Sequence, residues 1–340
     1  MAASYDSKWI ATASEDGTII VWDAERGTIV QEWLAHGGYD GKNLRLVSAG
    51  GEGSDALAIW DIDPVALCAW SSDGALIASA SMEGMVVVWD ALTFQQRNMV
   101  DDRHPLPLTF TTQHLRFSQD SRYLAWISHS NLDGWGCRVW QPRRGNEPRW
   151  LPSGPSDSMA WNVEPISAFS FDSEGRRIAT AHADGSLFTR GQCAVRIWDP
   201  ATGAMLAVLA GHSQSVTDVS FSPDGRSILS ASEDGSAKIW DVESGLETAS
   251  LLVHERYSTS PAQVVKACFS PDGKRIATIA RSSSTVQLWR TDNAECTVEF
   301  IEHAGADVLQ VMFSPDGEFL VSGDINGVVV IRRLPESLRY

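Results

Sequence analysis

Short apolar runs of about five residues, separated by turns rich in glycine, aspartate and serine, recur along the whole of this 340-residue chain. Seven of these runs end in tryptophan, at Trp22, Trp60, Trp89, Trp140, Trp198, Trp240 and Trp289, and an eighth, residues 328–331, ends at Arg332 where tryptophan is expected. Each is short, rich in valine and isoleucine, and preceded by a turn signal such as Glu15-Asp16-Gly17, which is the pattern of a strand entered from a tight turn. Upstream lies a run of apolar and small residues, as in 10–14 and 276–280. Before that, a further run closes on Ser-Pro-Asp-Gly or a variant of it, at residues 68–70, 115–117, 168–171, 219–221, 267–269 and 311–313. A fourth follows the Trp-Asp turn, as residues 205–209 do after Ala201-Thr202-Gly203. Nowhere does a long period of 3.6 appear, so the chain is predicted to be all-β.

The cleanest copy of the repeated phrase runs from Val216 through Phe221-Ser222-Pro223-Asp224-Gly225, residues 228–232 and Asp234-Gly235 to Trp240-Asp241. A unit of about forty residues cannot bury its own apolar face, so copies must stack side by side. Four strands per unit, with Phe-Ser-Pro-Asp-Gly and Trp-Asp recurring in phase over nearly the whole chain, resemble the WD40 family. The resemblance implies a β-propeller of four-stranded antiparallel blades around a central channel. We expect a single domain over residues 1–340 with eight sequence units, approximately 1–35, 36–62, 63–100, 101–153, 154–210, 211–253, 254–302 and 303–340, making seven to eight blades. The second unit is truncated: the stretch from Trp60 to Trp89 is too short for an outer strand, a loop and three more strands. The count is 28 strands, with three in the first unit, two in the second and three in the eighth. Residues 37–67 and the two ends are where pairing is expected to be incomplete, and such edges invite association.

Charge narrows the function classes. Lys plus Arg number 27 against 43 Asp plus Glu, a net charge of −16 dispersed along the chain, which disfavours phosphate backbones and anionic lipid. No nucleic-acid or membrane partner is expected. Five cysteines lie far apart without CxxC spacing and read as reduced thiols. There is no signal-like N-terminus, no run of transmembrane length and no Asn-x-Ser/Thr acceptor, so the expected location is the cytoplasm, with the nucleus as the alternative.

In well-preserved WD40 repeats a histidine, a Ser/Thr, the turn aspartate and the tryptophan form a hydrogen-bonded chain, and the resemblance implies this for His212, Ser230, Asp234 and Trp240. The first unit offers Thr12, Asp16 and Trp22 without a histidine, and the fifth Thr180, Asp184 and Trp198. The eighth has His303, Ser322 and Asn326, and the seventh has Ser282 in the aspartate position. A Ser, His, Asp set that recurs with the repeat is a structural network rather than a catalytic triad, so no catalytic residue is expected. The histidines show no HExxH or paired ligand spacing, and Gly51-Glu52-Gly53-Ser54-Asp55-Ala56 precedes a strand rather than a helix, so neither metal nor cofactor is expected.

By the same resemblance, partner-binding positions flank the start of the first strand of each unit or precede the turn aspartate: Glu15, Met82, Ala183, Ser215, Thr217, Glu233, Gln263 and Asp307. Two lengthened turns, residues 128–136 with Trp135 and residues 187–192 with Phe188 and Arg190, are further loop candidates. The expected function is a non-catalytic scaffold that binds protein or peptide partners through its loop face. The alternatives are the recognition segment of a signalling system and a hydrolase with a site at the channel mouth.

Overall fold

The computed structural model describes all residues except 1, 5–7, 15, 37–43, 47–57, 61–64, 82–83, 102–112, 131–133, 153–165, 184–192, 254–261, 302, 304 and 336–340. The described residues form 29 strands: six four-stranded sheets, one three-stranded sheet and one two-stranded hairpin. The chain divides into two compact units, Met1–Gly134 with Arg138–Trp150, and Trp135–Cys137 with Leu151–Tyr340.

In the first unit, the first sheet is built from Ala2–Ala3, Trp9–Ala13, Thr18–Asp23 and Ile29–Leu34 in sequence order. Its short opening strand, which pairs Ala2 with Ala11 and Ala3 with Ile10, is the one strand beyond the 28 expected. The second sheet holds Val65–Trp70, Leu76–Ser81, Met85–Asp90 and Gln96–Asp101. The third holds Gln113–Phe117, Leu124–Ser130, Gly134–Trp140 and Arg149–Pro152, most of which belongs to the first unit. Between the first and second sheets the chain contributes only the hairpin Leu44–Leu46 and Ala58–Trp60, whose pairing sets Leu44 opposite Trp60.

The second sequence unit therefore adds no blade-sized sheet among the described residues, and the first sheet packs directly on the second. Ala11, Ile19, Val21 and Ala35 share one apolar cluster with Val65, Ile77, Met85 and Val87. Both ends of the interruption are held by one tight turn. Gly17 donates to the Ser14 carbonyl across it at 3.1 Å, while Ala35 N–H donates to Gly17 O at 2.9 Å and Val65 N–H to Ser14 O at 3.2 Å.

The second unit holds four sheets. The fourth is Ile166–Phe171, Ile178–His182, Ala194–Trp198 and Met205–Ala210, and the fifth is Val216–Phe221, Ser227–Ser232, Ser236–Asp241 and Glu247–Leu252. The sixth is Val264–Phe269, Arg275–Ala280, Thr285–Arg290 and Cys296–Ile301, and the seventh has three strands, Val308–Phe313, Phe319–Asp324 and Val329–Arg333. Neighbouring sheets bury apolar faces between them: Val195 and Ile197 meet Val219 and Ile228, Leu229 and Ile239 meet Val264 and Ile276, and Ile279 and Leu288 meet Val308 and Val311.

The repeated phrase has a local reason. Ser222 Oγ donates to Asp224 Oδ1 at 2.6 Å and accepts the Ser227 N–H, while Asp224 Oδ1 also accepts the Arg226 N–H and Gly225 sits at φ +69°. The phrase thus closes its own turn: serine and aspartate satisfy the backbone, and glycine takes the left-handed position. The Trp-Asp aspartate does the same for the next turn, with Asp241 Oδ1 accepting the N–H and the hydroxyl of Ser244. In the sheets from fourth to seventh, the register slips after the first residue of the opening strand, leaving Ser167, Thr217, Val265 and Leu309 at a bulge.

Replacing Gly225 (φ +69°) by alanine is expected to destabilise the protein by about 1–2 kcal/mol, from the left-handed backbone it must adopt. Urea unfolding of the G225A variant measures this. An unchanged midpoint would show that the turn carries no such constraint.

Candidate functional site

The strands bring the tryptophan of the third strand over a hydroxyl of the second. Indole Nε1 donates to Ser/Thr Oγ in five sheets: Trp22 to Thr12 (2.9 Å), Trp89 to Ser79 (3.0 Å), Trp198 to Thr180 (2.8 Å), Trp240 to Ser230 (2.8 Å) and Trp289 to Thr278 (2.9 Å). In the fifth sheet the chain continues to the loops. Ser230 Oγ lies 2.7 Å from His212 Nε2, and His212 Nδ1 lies 2.9 Å from Asp234 Oδ2. A carboxylate only accepts, so in the neutral ring Nδ1 carries the proton and Nε2 accepts from Ser230, giving one direction of donation from Trp240 to Asp234. His212 and Ser230 are buried.

Three other histidines reach the same kind of hydroxyl, each by a different route. His303 bridges Ser322 (2.8 Å) and Asp324 (3.0 Å). The acid is thus Asp324 rather than the expected Asn326, because the aspartate here stands two residues earlier and accepts the Asn326 N–H itself. His182, on the second strand of the fourth sheet, lies 2.8 Å from Thr180 and accepts from Arg196 at Nδ1 (3.1 Å). His36 ends the first sheet yet lies 2.8 Å from Ser79 in the second, reaching it across the interrupted unit. The third sheet departs from the pattern: Trp126, fully buried, occupies the hydroxyl position two residues after Leu124, and Trp140 donates instead to the Asn146 carbonyl at 2.5 Å.

These groups are spent on holding strands. The serine that would act as a nucleophile is buried and saturated by its histidine and indole, and the arrangement recurs with the fold. Among the described residues, no group of three His, Cys, Asp or Glu is placed to hold a metal ion.

The partner-binding candidates fall on strand ends. The N–H of Glu233 donates to Ser215 O (3.0 Å), that of Arg281 to Gln263 O (2.8 Å) and that of Ile325 to Asp307 O (3.0 Å). One backbone bond therefore pairs the residue before the first strand with the residue in the turn, in three successive sheets. Glu233 also forms an ion pair with Arg281 at 3.1 Å, tying the fifth sheet to the sixth. Thr217 is engaged within the fold: from its bulge its hydroxyl donates to Val264 O at 2.7 Å, as Ser167 donates to Val216 O at 2.5 Å. Ala183 is half-buried beside His182, while Glu15 and Met82 lie outside the described residues. Of the lengthened turns, residues 131–133 and 187–192 also lie outside them, and Trp135 is half-buried. Arg281 and exposed Ile325 share this rim but escape a motif search. Ser282 and Asn326 stand where the turn aspartate marks the position in the fifth sheet.

Replacing Ser230 by alanine strips the acceptor from the Trp240 indole and the donor from His212 in a buried site, an expected loss of about 2–3 kcal/mol in urea unfolding. A loss below about 0.5 kcal/mol would contradict the network's role. Asp234 makes the pH dependence specific. Burial acts to raise its pKa, but hydrogen bonds from His212, Ser236 and the Ser213 N–H outweigh this and hold it well below the usual carboxylate range. Its contribution is therefore fully present above the unfolded value of about 4 and is lost as pH falls toward the folded one. The variant D234N is expected to be less stable at pH 7 and to lose less further stability between pH 4 and pH 2 than the parent; parallel pH profiles would contradict this.

Comparison with known proteins agrees with this architecture. The family model for the WD domain, G-beta repeat, matches residues 1–23, 45–90, 203–241 and 294–332. Autophagy-related protein 16 of Arabidopsis thaliana is 28% identical over 325 residues, covering 96% of this chain and 53% of that protein. WD repeat-containing protein SL1-17 of Schistosoma mansoni is 29% identical over 240 residues, covering 71% of this chain and 64% of that protein. Nuclear distribution protein PAC1 of Arthroderma benhamiae is 27% identical over 186 residues, covering 53% and 38%. The chain spans less than two thirds of the length of each of these relatives. The repeated phrase and the recurring tryptophan bonds agree with these matches: the WD-repeat family model matches four regions of this chain, and SL1-17, to which the chain is similar over 71% of its length, is a WD repeat-containing protein.

Proposed function

We propose that this chain is a non-catalytic interaction module that binds protein or peptide partners through the strand-end rim of its sheets. The observation that carries this is the fate of the reactive side chains: every described Ser-His contact of the fifth and seventh sheets is buried within a sheet-holding network. What reaches the rim is Glu233, Gln263, Arg281, Asp307 and Ile325, a mixed polar and apolar set on a rigid frame. The net charge of −16 favours partners with basic character and disfavours nucleic acid and anionic membranes. Five free cysteines fit a reducing compartment, the cytoplasm or nucleus.

A second reading, the recognition segment of a longer signalling protein, is favoured by the match to apoptotic protease-activating factor 1 of Rattus norvegicus. That protein is 23% identical over 78% of this chain, which covers 19% of it.

The test is capture of tagged protein from native extract beside a variant carrying Glu15, Glu233 and Asp307 reversed to lysine, with folding checked by thermal melting. A partner held by the parent and at least about tenfold depleted from the folded variant is the expected outcome. Equal recovery of every specific partner from both would remove the rim from consideration.

A further inference from the structure

Strands and turns at one end of the first two sheets form an open cavity of about 460 Å³, lined by Trp9, Val30, Trp70, Leu92, Phe94 and Asp73 among others. Its volume is that of a ligand site, and its walls are mainly apolar. The polar atoms on it are already matched: Ser4 Oγ accepts the Trp9 N–H (3.0 Å), and Trp70 Nε1 donates to Gly74 O (3.3 Å). Asp73 Oδ1 accepts from Ser71 (2.8 Å) and from the Ala75 N–H (3.1 Å). An apolar group therefore gains most by entering, and Leu92, 87% exposed, together with Val30 adds apolar surface at the mouth.

On the side of the third sheet the edge of the cavity carries a local excess of basic groups. Asp73 donates its N–H to Ser121 Oγ at 3.0 Å, and its second carboxylate oxygen is held by Arg143. Two turns of the third sheet are thereby brought against it, one in which Arg122 is already paired with Asp120 and one that carries Arg143 and Arg144. Residues 113–152 contain six arginines against three acidic residues, in a chain whose net charge is −16. An anionic segment is repelled by most of the chain but not here. Arg143 is half-exposed, and its five-donor guanidinium can accommodate a second carboxylate, while exposed Arg144 has no ion-pair partner among the described residues. A basic segment would meet these guanidiniums, with the charge of Asp73 already matched.

From this juxtaposition we infer that the cavity seats a bulky apolar side chain of an acidic peptide segment, whose flanking carboxylates engage Arg143 and Arg144. The site is separate from the rim proposed above and shares none of Glu233, Gln263 or Asp307, so either proposal can fail alone.

The test is tryptophan-fluorescence titration of the full chain with a blocked peptide of one phenylalanine between two pairs of glutamates (EEFEE). The comparison ligands are EEAEE, KKFKK and dodecanoate. Val30→Trp, on an exposed position of the fourth strand, narrows the mouth, and Arg143→Glu and Arg144→Glu each reverse one charge. The expected result is saturable binding of EEFEE that weakens with salt, with EEAEE at least about tenfold weaker and each folded variant weakened about tenfold. R144E guards against a folding defect in R143E, since Arg144 holds no ion pair among the described residues. No saturation by about 1 mM, equal affinity for EEAEE or KKFKK, or binding of dodecanoate without EEFEE would each overturn the inference.

Discussion

An indole N–H cannot be buried dry without cost, and the sheets of this chain are organised around giving it an acceptor. In five sheets that acceptor is a serine or threonine hydroxyl on the neighbouring strand, at 2.8–3.0 Å. The bond requires that the second and third strands hold one register, since a slip of one residue would turn the hydroxyl to the other face of the sheet. In the fifth sheet that register sets Ile228 opposite Trp240 and Ser230 opposite Lys238, and the hydroxyl so placed can then be shared with a histidine from the loop before the sheet. Through His212 and Asp234, strand pairing is thus coupled to the loop end of the sheet, where the proposed rim lies.

The exceptions show what this constraint allows. Where Arg332 replaces the tryptophan, the guanidinium lies 4.4 Å from the Phe300 ring and the histidine pair with Asp324 persists. Where Trp126 takes the hydroxyl position, its own buried Nε1 finds no acceptor among the described residues and Trp140 turns to a backbone carbonyl. Four histidines serve hydroxyl hubs from three starting points: the loop before the sheet, the sheet's own second strand and the end of the preceding sheet. What the fold conserves is the hub, while the donor's place in the chain varies.

That difference explains how much was legible beforehand. Strand and turn positions follow from a spacing that repeats, local chemistry such as the Ser222–Asp224 turn leaves a motif, and the His212, Ser230, Asp234 and Trp240 chain is implied by the resemblance of that motif to WD40 repeats. The His36–Ser79 contact spans 43 positions across an interruption, so no periodic pattern marks it. His182 replaces the loop histidine from within a strand, and Asp324 acts two residues before the expected Asn326, because geometry at the imidazole counts rather than motif position. Bulges are invisible in composition, so nothing in the sequence shows that the hydroxyl of Thr217, one of the expected partner-binding positions, is spent on the next sheet. The aromatic cavity of the first two sheets draws Trp9, Val30, Trp70 and Phe94 from four different strands and turns, with no shared spacing to reveal it.

The interruption between His36 and Val65 has a consequence for how such a chain can change. Its two ends are fastened to the same Ser14–Gly17 turn, and Ala35 and Val65 lie in one apolar cluster, so the sheets on either side are joined independently of what lies between. For a flexible connection between two points so fixed, a change of length costs only closure entropy, roughly 0.6 kcal/mol per doubling. The joint is in this sense a port in the frame: the strands beside it keep their register through their own bonds, whatever segment is carried between them.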